Sequence, residues 1–163
     1  ALFQTERLLV RRYRATDRDR YFALRADPDV VRFMHWSEDP EAFDRNRILA
    51  DLRALPDGEG WVNLAVAPRA DGGMIGDFGV RLDGARGWLG LSFLPQHRRR
   101  GYGGELMRAA MDWLAGHGAR RFIAEIDVGN AASRALFDGL GFAPTGREQD
   151  EHGPFDVLVR DAG

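Results

Sequence analysis

Phe93-Leu94-Pro95-Gln96-His97-Arg98-Arg99-Arg100-Gly101-Tyr102-Gly103-Gly104-Glu105-Leu106 joins three kinds of local structure. Residues 88–94 form an apolar run that reads as a strand and ends at Pro95. A basic, glycine-rich turn follows, and an amphipathic helix begins near Gly103. The first N–H groups of a helix have no partners within it and sit at the positive end of its dipole. Glycines let a ligand approach the backbone and accept positive φ. Arg98, Arg99 and Arg100 add formal charge and forked donors matched to phosphate. Strand, turn and helix together suit a pyrophosphate.

Two common phosphate loops are excluded. A P-loop needs G-x-x-x-x-G-K-[ST], and the chain has no lysine. A dinucleotide fingerprint needs G-x-G-x-x-G, and Leu106 stands where its last glycine belongs. All 23 basic residues are arginine, a codon bias that points to a GC-rich bacterial source. The net charge of −2 argues against a general polyanion binder, so the arginine cluster is a local feature. The absence of cysteine excludes disulfides, thiolate metal sites and cysteine nucleophiles. A length of 163 residues fits one domain, 1–163, around one core. No apolar run reaches the ~20 residues of a membrane span, and no charged-then-apolar leader opens the chain. The expected compartment is the cytoplasm.

Hydrophobic periodicity orders the elements. Residues 7–13 alternate as a first strand, and Thr16-Asp17-Arg18-Asp19 reads as a helix start. A short helical turn is expected over 29–36. A second helix start follows at Asp39-Pro40-Glu41, with Ile48, Leu49, Leu52 and Leu55 on its apolar face. Residues 61–67, 74–82 and 88–94 are strand candidates separated by turns, as in an antiparallel meander. The long helix spans 103–117, with Leu106, Ala110, Trp113 and Leu114 at helical spacing. A strand over 121–127 leads to a helix capped by Asn130 and closed by Gly141, and the chain ends in two extended segments.

Arg98-x-x-Gly101-x-Gly103 resembles the [Q/R]-x-x-G-x-[G/A] motif of the GNAT superfamily of N-acetyltransferases, whose loop wraps the pyrophosphate of acetyl-coenzyme A. The segment from Asn130 through Ser133, Leu136 and Phe137 to Gly141-Phe142 is similar to the family's N-x-x-[SA]-x-x-[LV]-[YFL]-x-x-x-G-F. Thr5-Glu6-Arg7-Leu8-Leu9-Val10-Arg11 and Asp27-Pro28-Asp29-Val30 look most like its ribosomal-protein (RimJ/RimL-like) branch. The resemblance covers nearly the whole chain. It implies an α/β (α+β) fold: a mixed, mostly antiparallel twisted sheet of six to seven strands flanked by about four helices. It also implies transfer of an acetyl group to a primary amine by direct attack in a ternary complex, with acetyl-coenzyme A as cosubstrate and no metal. The partner is then an amine, small or a protein N-terminus, with no nucleic acid and no membrane. The protein would be a monomer or homodimer.

The same resemblance distributes roles. Arg98, Arg99, Arg100, Gly101, Tyr102, Gly103 and Gly104 would hold the pyrophosphate, and backbone groups near Phe93 and Leu94 would pair with the pantetheine arm as an added strand does. One such N–H would face the thioester oxygen. Asn130 caps its helix and is also expected to touch the arm, while Phe137 packs against the arm or the core. Many relatives carry a tyrosine acid at position 137. Phenylalanine cannot donate a proton, so the role passes to Ser133, or is absent. Many place a glutamate base near position 88, where this chain has tryptophan, leaving Glu125, Asp127, His35 or a water as candidates.

A weak base would favour weakly basic acceptors. An α-amine of pKa about 7.8 needs only ~1.1 kcal/mol to be neutral at pH 7, against ~4.6 kcal/mol for a lysine amine. Glu148, Asp150, Glu151 and Asp156 gather around the last turn, where they would attract cations. Trp88 and Phe137 also leave a rival reading, a catalytically silent module that binds coenzyme A.

Overall fold

The computed structural model describes residues 2–34, 41–48, 61–70 and 72–163. Its strands are β1 (Phe3–Gln4), β2 (Leu8–Arg11), β3 (Val62–Pro68), β4 (Gly76–Asp83), β5 (Arg86–Phe93), β6 (Arg121–Asp127), β7 (Ala143–Asp150) and β8 (Gly153–Asp161). Its helices are α1 (Arg18–Ala26), α2 (Pro28–Phe33), α3 (Ala42–Ile48), α4 (Tyr102–Gly116) and α5 (Ala131–Gly139). All eight strands form one sheet in the order β1-β2-β3-β4-β5-β6-β8-β7. Among the described strands only β5 and β6 run parallel, because α4 carries the chain back between them. The expected α/β architecture is present; the described residues hold one more strand than the upper expectation, the short β1, and five helices.

Each face of the sheet has its own core. Leu8, Val10, Leu64, Val66, Phe78, Val80 and Leu89 point to α4 and α5. There α4 contributes Leu106, Met107, Ala110, Met111 and Leu114, a stripe at helical spacing. Each of the leucines and methionines, fully buried, contributes roughly 1.5–3 kcal/mol. The other face is covered in part by Tyr21, Leu24, Val30 and Phe43 of α1–α3, packed on Tyr13, Ala65 and Met74. Two buried ion pairs pin these helices: Arg11 to Asp17 at 2.7 Å, and Arg25 to Asp77 at 2.7 Å. The Tyr13 hydroxyl also donates to Asp77, and burial pushes both groups above their ordinary pKa.

Several boundaries differ from the sequence reading. Thr16, the expected cap, lies inside a 3-10 turn at Ala15–Asp17, and α1 starts at Arg18 without a side-chain cap; the Asp17 carboxylate turns back to accept from the Arg14 N–H at 2.7 Å and from Arg11. Asp27 caps the next helix: it accepts the Val30 N–H at 3.1 Å and starts α2 with Pro28 in its first turn. β4 begins at Gly76, not at 74, although Ile75 already donates to Val66 at 2.8 Å. The last strand inserts between β6 and β7. His35, Asp39, Pro40, Leu49, Leu52 and Leu55 lie outside the described residues.

Candidate active site

β5 and β6 pair only over residues 86–88 and 121–123. Beyond that point they diverge, while β5 stays paired to β4 as far as Phe93 and β6 stays paired to β8 as far as Asp127. The result is a wedge in the middle of the sheet. Leu94 donates its N–H to Ile75 at 2.9 Å. Antiparallel pairing alternates the direction of backbone groups. Ser92, Gly90 and Trp88 therefore point to β4, and Leu91 and Phe93 point into the wedge. Of the two residues expected to offer backbone groups, Phe93 does so, although its C=O also accepts from Arg98 Nε at 3.0 Å. Leu94 is engaged on both sides, since its C=O takes the His97 N–H at 2.9 Å. Leu91 takes its place on the open edge.

One end of the wedge meets the start of α4. A 3-10 turn at Pro95–His97 leads to Arg99 at φ 60° and Gly101 at φ 77°. These two left-handed residues bend the chain sharply into the helix, and only glycine takes that conformation without strain. Gly103 serves packing: a Cβ there would stand 3.2 Å from Leu136 of α5 and 3.5 Å from Leu91. A Cβ on Gly104 would meet Arg108 at 3.2 Å. Arg98 turns away from the helix terminus to bind Asp27 at 2.9 Å and Asp29 at 3.5 Å. That guanidinium holds the Asp27 carboxyl below its ordinary pKa. Arg99 and Arg100 are exposed and make no ion pair among the described residues. The Tyr102 ring packs 5.9 Å from that of Phe93.

Asn130 starts α5 on the opposite bank, its Oδ1 accepting the Ser133 N–H at 3.3 Å. Its cap role is thus met. Ser133 is half-buried, and its hydroxyl has no hydrogen-bond partner among the described residues. Phe137 lies in the core, 3% exposed, with its ring 5.0 Å from Phe142 and edge-on to it.

On the sheet face opposite α4 and α5, the wedge opens among groups that the sequence scattered. Trp88 is registered with Ile123, so Glu125 lies two residues further along the same face of β6. The Glu125 side chain reaches water, yet partial burial of its carboxyl pushes it above its ordinary pKa, and the Glu148 and Asp150 carboxylates push the same way. The Trp88 indole and the Arg81 guanidinium hold it back. The Arg81 guanidinium lies 4.7 Å from the Trp88 ring centre, with its Nε buried and unpartnered. Trp61, 41% exposed, lies over two strand glycines: a Cβ at Gly79 would meet its ring at 3.3 Å, and one at Gly90 at 3.8 Å. Interior strand glycines mark such close approach, so Gly79 and Gly90 were the available signal for Trp61. Asp156 faces away from this group, paired to Arg147 at 2.8 Å and to Arg134 of α5 at 3.1 Å.

A cavity of about 370 Å³ lies elsewhere, between the outer part of α4 and the end of β8, lined by Arg108, Met111, Asp112 and Arg160 among others. It touches neither the wedge nor the glycine turn. Among the described residues no helix is long and apolar enough to cross a membrane, and no cluster of His, Asp and Glu is placed to hold a metal ion.

Comparison with known proteins agrees with this arrangement. Residues 7–143 match the family model of the acetyltransferase (GNAT) domain. Over 141 residues, 82% of this chain and 88% of the relative, the sequence is 31% identical to aminoglycoside N(6')-acetyltransferase type 1 of Klebsiella aerogenes. A 62-residue match, 44% identical, spans only 15% of the longer acetyl transferase GW6a of Oryza sativa subsp. japonica. The fold is shared with ribosomal-protein-S5-alanine acetyltransferase from Vibrio fischeri, at TM-score 0.76, 17% identity and coverage of 98% and 95% of the two chains. It is shared also with spermidine N-acetyltransferase from Vibrio cholerae, solved with CoA and spermine, at TM-score 0.75, 14% identity and coverage of 94% and 95%. The chain belongs to the GNAT family of acetyltransferases.

Proposed function

We propose that the protein transfers an acetyl group from acetyl-coenzyme A to a cationic primary amine, either a small molecule or a peptide N-terminus, by direct attack in a ternary complex. The observation that carries this reading is the wedge between β5 and β6, with the glycine turn of α4 at one end and Glu125 at the other. Backbone groups of Leu91 and Phe93 fit a pantetheine arm, which carries amides and pairs as an added strand would. The turn from Arg99 to Gly104 fits a pyrophosphate.

The chemistry then falls to this chain's own residues. Glu125 takes the proton of the attacking ammonium, so that a neutral nitrogen forms the new C–N bond. A carboxylate with a raised pKa is a better base for that step than an ordinary surface glutamate. A wedge-facing N–H of β5 stabilises the oxyanion; as the C–S bond breaks, the Ser133 hydroxyl hydrogen-bonds to the sulfur, and the second proton shed by the acylated nitrogen neutralises the departing thiolate. The base missing at Trp88 is thus supplied from the neighbouring strand. A preference for α-amines no longer follows from lack of a base; it rests on how strongly Glu125 acts. Glu148 and Asp150 add negative potential on the same face, which favours acceptors that carry positive charge. The names of the relatives, an aminoglycoside and a spermidine acetyltransferase, are consistent with such acceptors. The N-terminal motif and the alanine acetyltransferase neighbour keep a RimJ/RimL-like peptide N-terminus among them.

Thioester consumption with a panel of polyamines, aminoglycosides and peptides with free N-termini tests the proposal. Turnover with at least one cationic amine is expected. Tight binding of coenzyme A with no turnover on any of them would favour the catalytically silent module.

A further inference from the structure

The hairpin of β1 and β2 reaches across to the start of α4 through one acid. Glu105 lies in the first turn of α4, where a carboxylate would repel a phosphate at the helix terminus. Here its oxygens are occupied. Oε2 accepts from the Thr5 hydroxyl and from the Arg7 N–H at 3.0 Å, and Oε1 accepts from Arg7 Nε at 2.8 Å. Burial opposes ionisation, but these donors hold the carboxyl below its ordinary pKa.

The same contacts fix the Arg7 guanidinium in space. Its Nε is bound, its Cζ lies over the Tyr102 ring 4.5 Å from the ring centre, and the side chain is 43% exposed. Its terminal nitrogens have no carboxylate partner among the described residues. One of them, Nη2, stands 3.4 Å from where a Gly101 side chain would begin. Gly101 has no side chain, so this nitrogen looks onto the turn from outside. Arg98, by contrast, is held by Asp27. A guanidinium held by its Nε and by a ring face keeps two forked donors oriented for one ligand, and phosphate oxygens are the ligand that geometry suits.

We propose that Arg7 is a phosphate-binding residue: with Gly101 it completes the cradle from the N-terminal hairpin, and Thr5 and Glu105 position it. This rests on the reading of the α4 turn as the coenzyme A site. It predicts that the protein selects phosphate-bearing acyl donors over bare pantetheine through a residue nearly a hundred positions before the turn.

Calorimetry with coenzyme A, 3′-dephospho-coenzyme A and pantetheine tests it. Arg7→Ala should weaken coenzyme A roughly tenfold, the loss of a charge-assisted bond at a partly exposed site, while pantetheine affinity changes much less. Arg7→Lys, which keeps the charge but not the fork, should recover part of the loss. A loss that persists with the 3′-dephospho compound assigns the contact to the pyrophosphate, and one that vanishes assigns it to the 3′-phosphate. An equal loss for pantetheine, or no loss for coenzyme A, would overturn the proposal and leave Arg7 as a structural latch. Wild-type protein that binds no coenzyme A would instead overturn the reading of the turn itself.

Discussion

Replacing Glu125 by glutamine keeps the shape of the side chain and removes its basicity. A positioned general base contributes about 10²–10⁴ in rate, or ~2.7–5.4 kcal/mol at 1.36 kcal/mol per decade. Glu125 stands at the open face of the wedge and its side chain reaches water, so a solvent molecule can take over part of the task. The expected loss in kcat/KM is therefore near the lower end, roughly 10²-fold. Steady-state rates at saturating acetyl-coenzyme A from about pH 5 to pH 9 give the profile. Wild-type kcat/KM should rise through the elevated Glu125 pKa, and the variant should lack that limb. Stability supplies an independent sign. A carboxyl whose pKa is raised in the folded state binds its proton more tightly there. Its favourable contribution is full below the ordinary glutamate value of about 4.3 and is lost as pH rises through the folded value. Glu125→Gln should thus melt above wild type at neutral pH and converge with it in acid. Unchanged kcat/KM across the range would remove Glu125 as the base, and a lower neutral-pH melting temperature would contradict burial as the cause of the shift.

Four other substitutions separate the parts of the site. Ser133→Ala should lower kcat roughly 10- to 100-fold, the loss of one charge-assisted bond, with coenzyme A affinity nearly unchanged by calorimetry; full kcat would leave Ser133 without a role in leaving-group departure. Gly101→Val forces a β-branched residue to φ 77° and should cost about 1–2 kcal/mol in chemical denaturation and weaken coenzyme A strongly. Gly103→Val should act mainly through packing against Leu136, destabilising by ~1–3 kcal/mol. Asp27→Ala removes the α2 cap and the Arg98 ion pair together. The expected cost is about 1–2 kcal/mol at neutral pH, shrinking as acid protonates the wild-type carboxyl, whose pKa lies below the ordinary value.

What the sequence disclosed was local. The glycine turn, the start of α4 and the Asn130 cap are written in consecutive residues, because short-range backbone demands select residue types there. The candidate site depends on register instead. Glu125 meets Trp88 only because β6 pairs with β5 over three residues and then departs. β8 enters between β6 and β7, so the acids of the last hairpin separate: Glu148 and Asp150 face Glu125, while Asp156 turns to Arg134 and Arg147. Thr5 and Arg7 reach Glu105 across about a hundred residues, a distance that no periodicity reports.

The charge around the turn follows from the same long-range pairing. Five arginines surround it in space: Arg7, Arg98, Arg99, Arg100 and, beside Gly104, Arg108. Asp27 neutralises Arg98 and thereby fixes the entry to the turn, and Glu105 neutralises Arg7 and fixes its exit. Arg99 and Arg100 are left without ion pairs among the described residues. Together with Arg108 beside Gly104, likewise without an ion pair among the described residues, they supply the positive charge that a pyrophosphate diester calls for. The carboxylates therefore do not compete with the ligand; each holds an arginine in place at one end of the turn. Removing either acid should add a positive charge to the site and still weaken binding, because the cradle loses its shape. A charge-only account predicts the opposite sign, so coenzyme A affinities of Asp27→Asn and Glu105→Gln at two ionic strengths decide between them. Tighter binding that fades with salt would refute the positioning role.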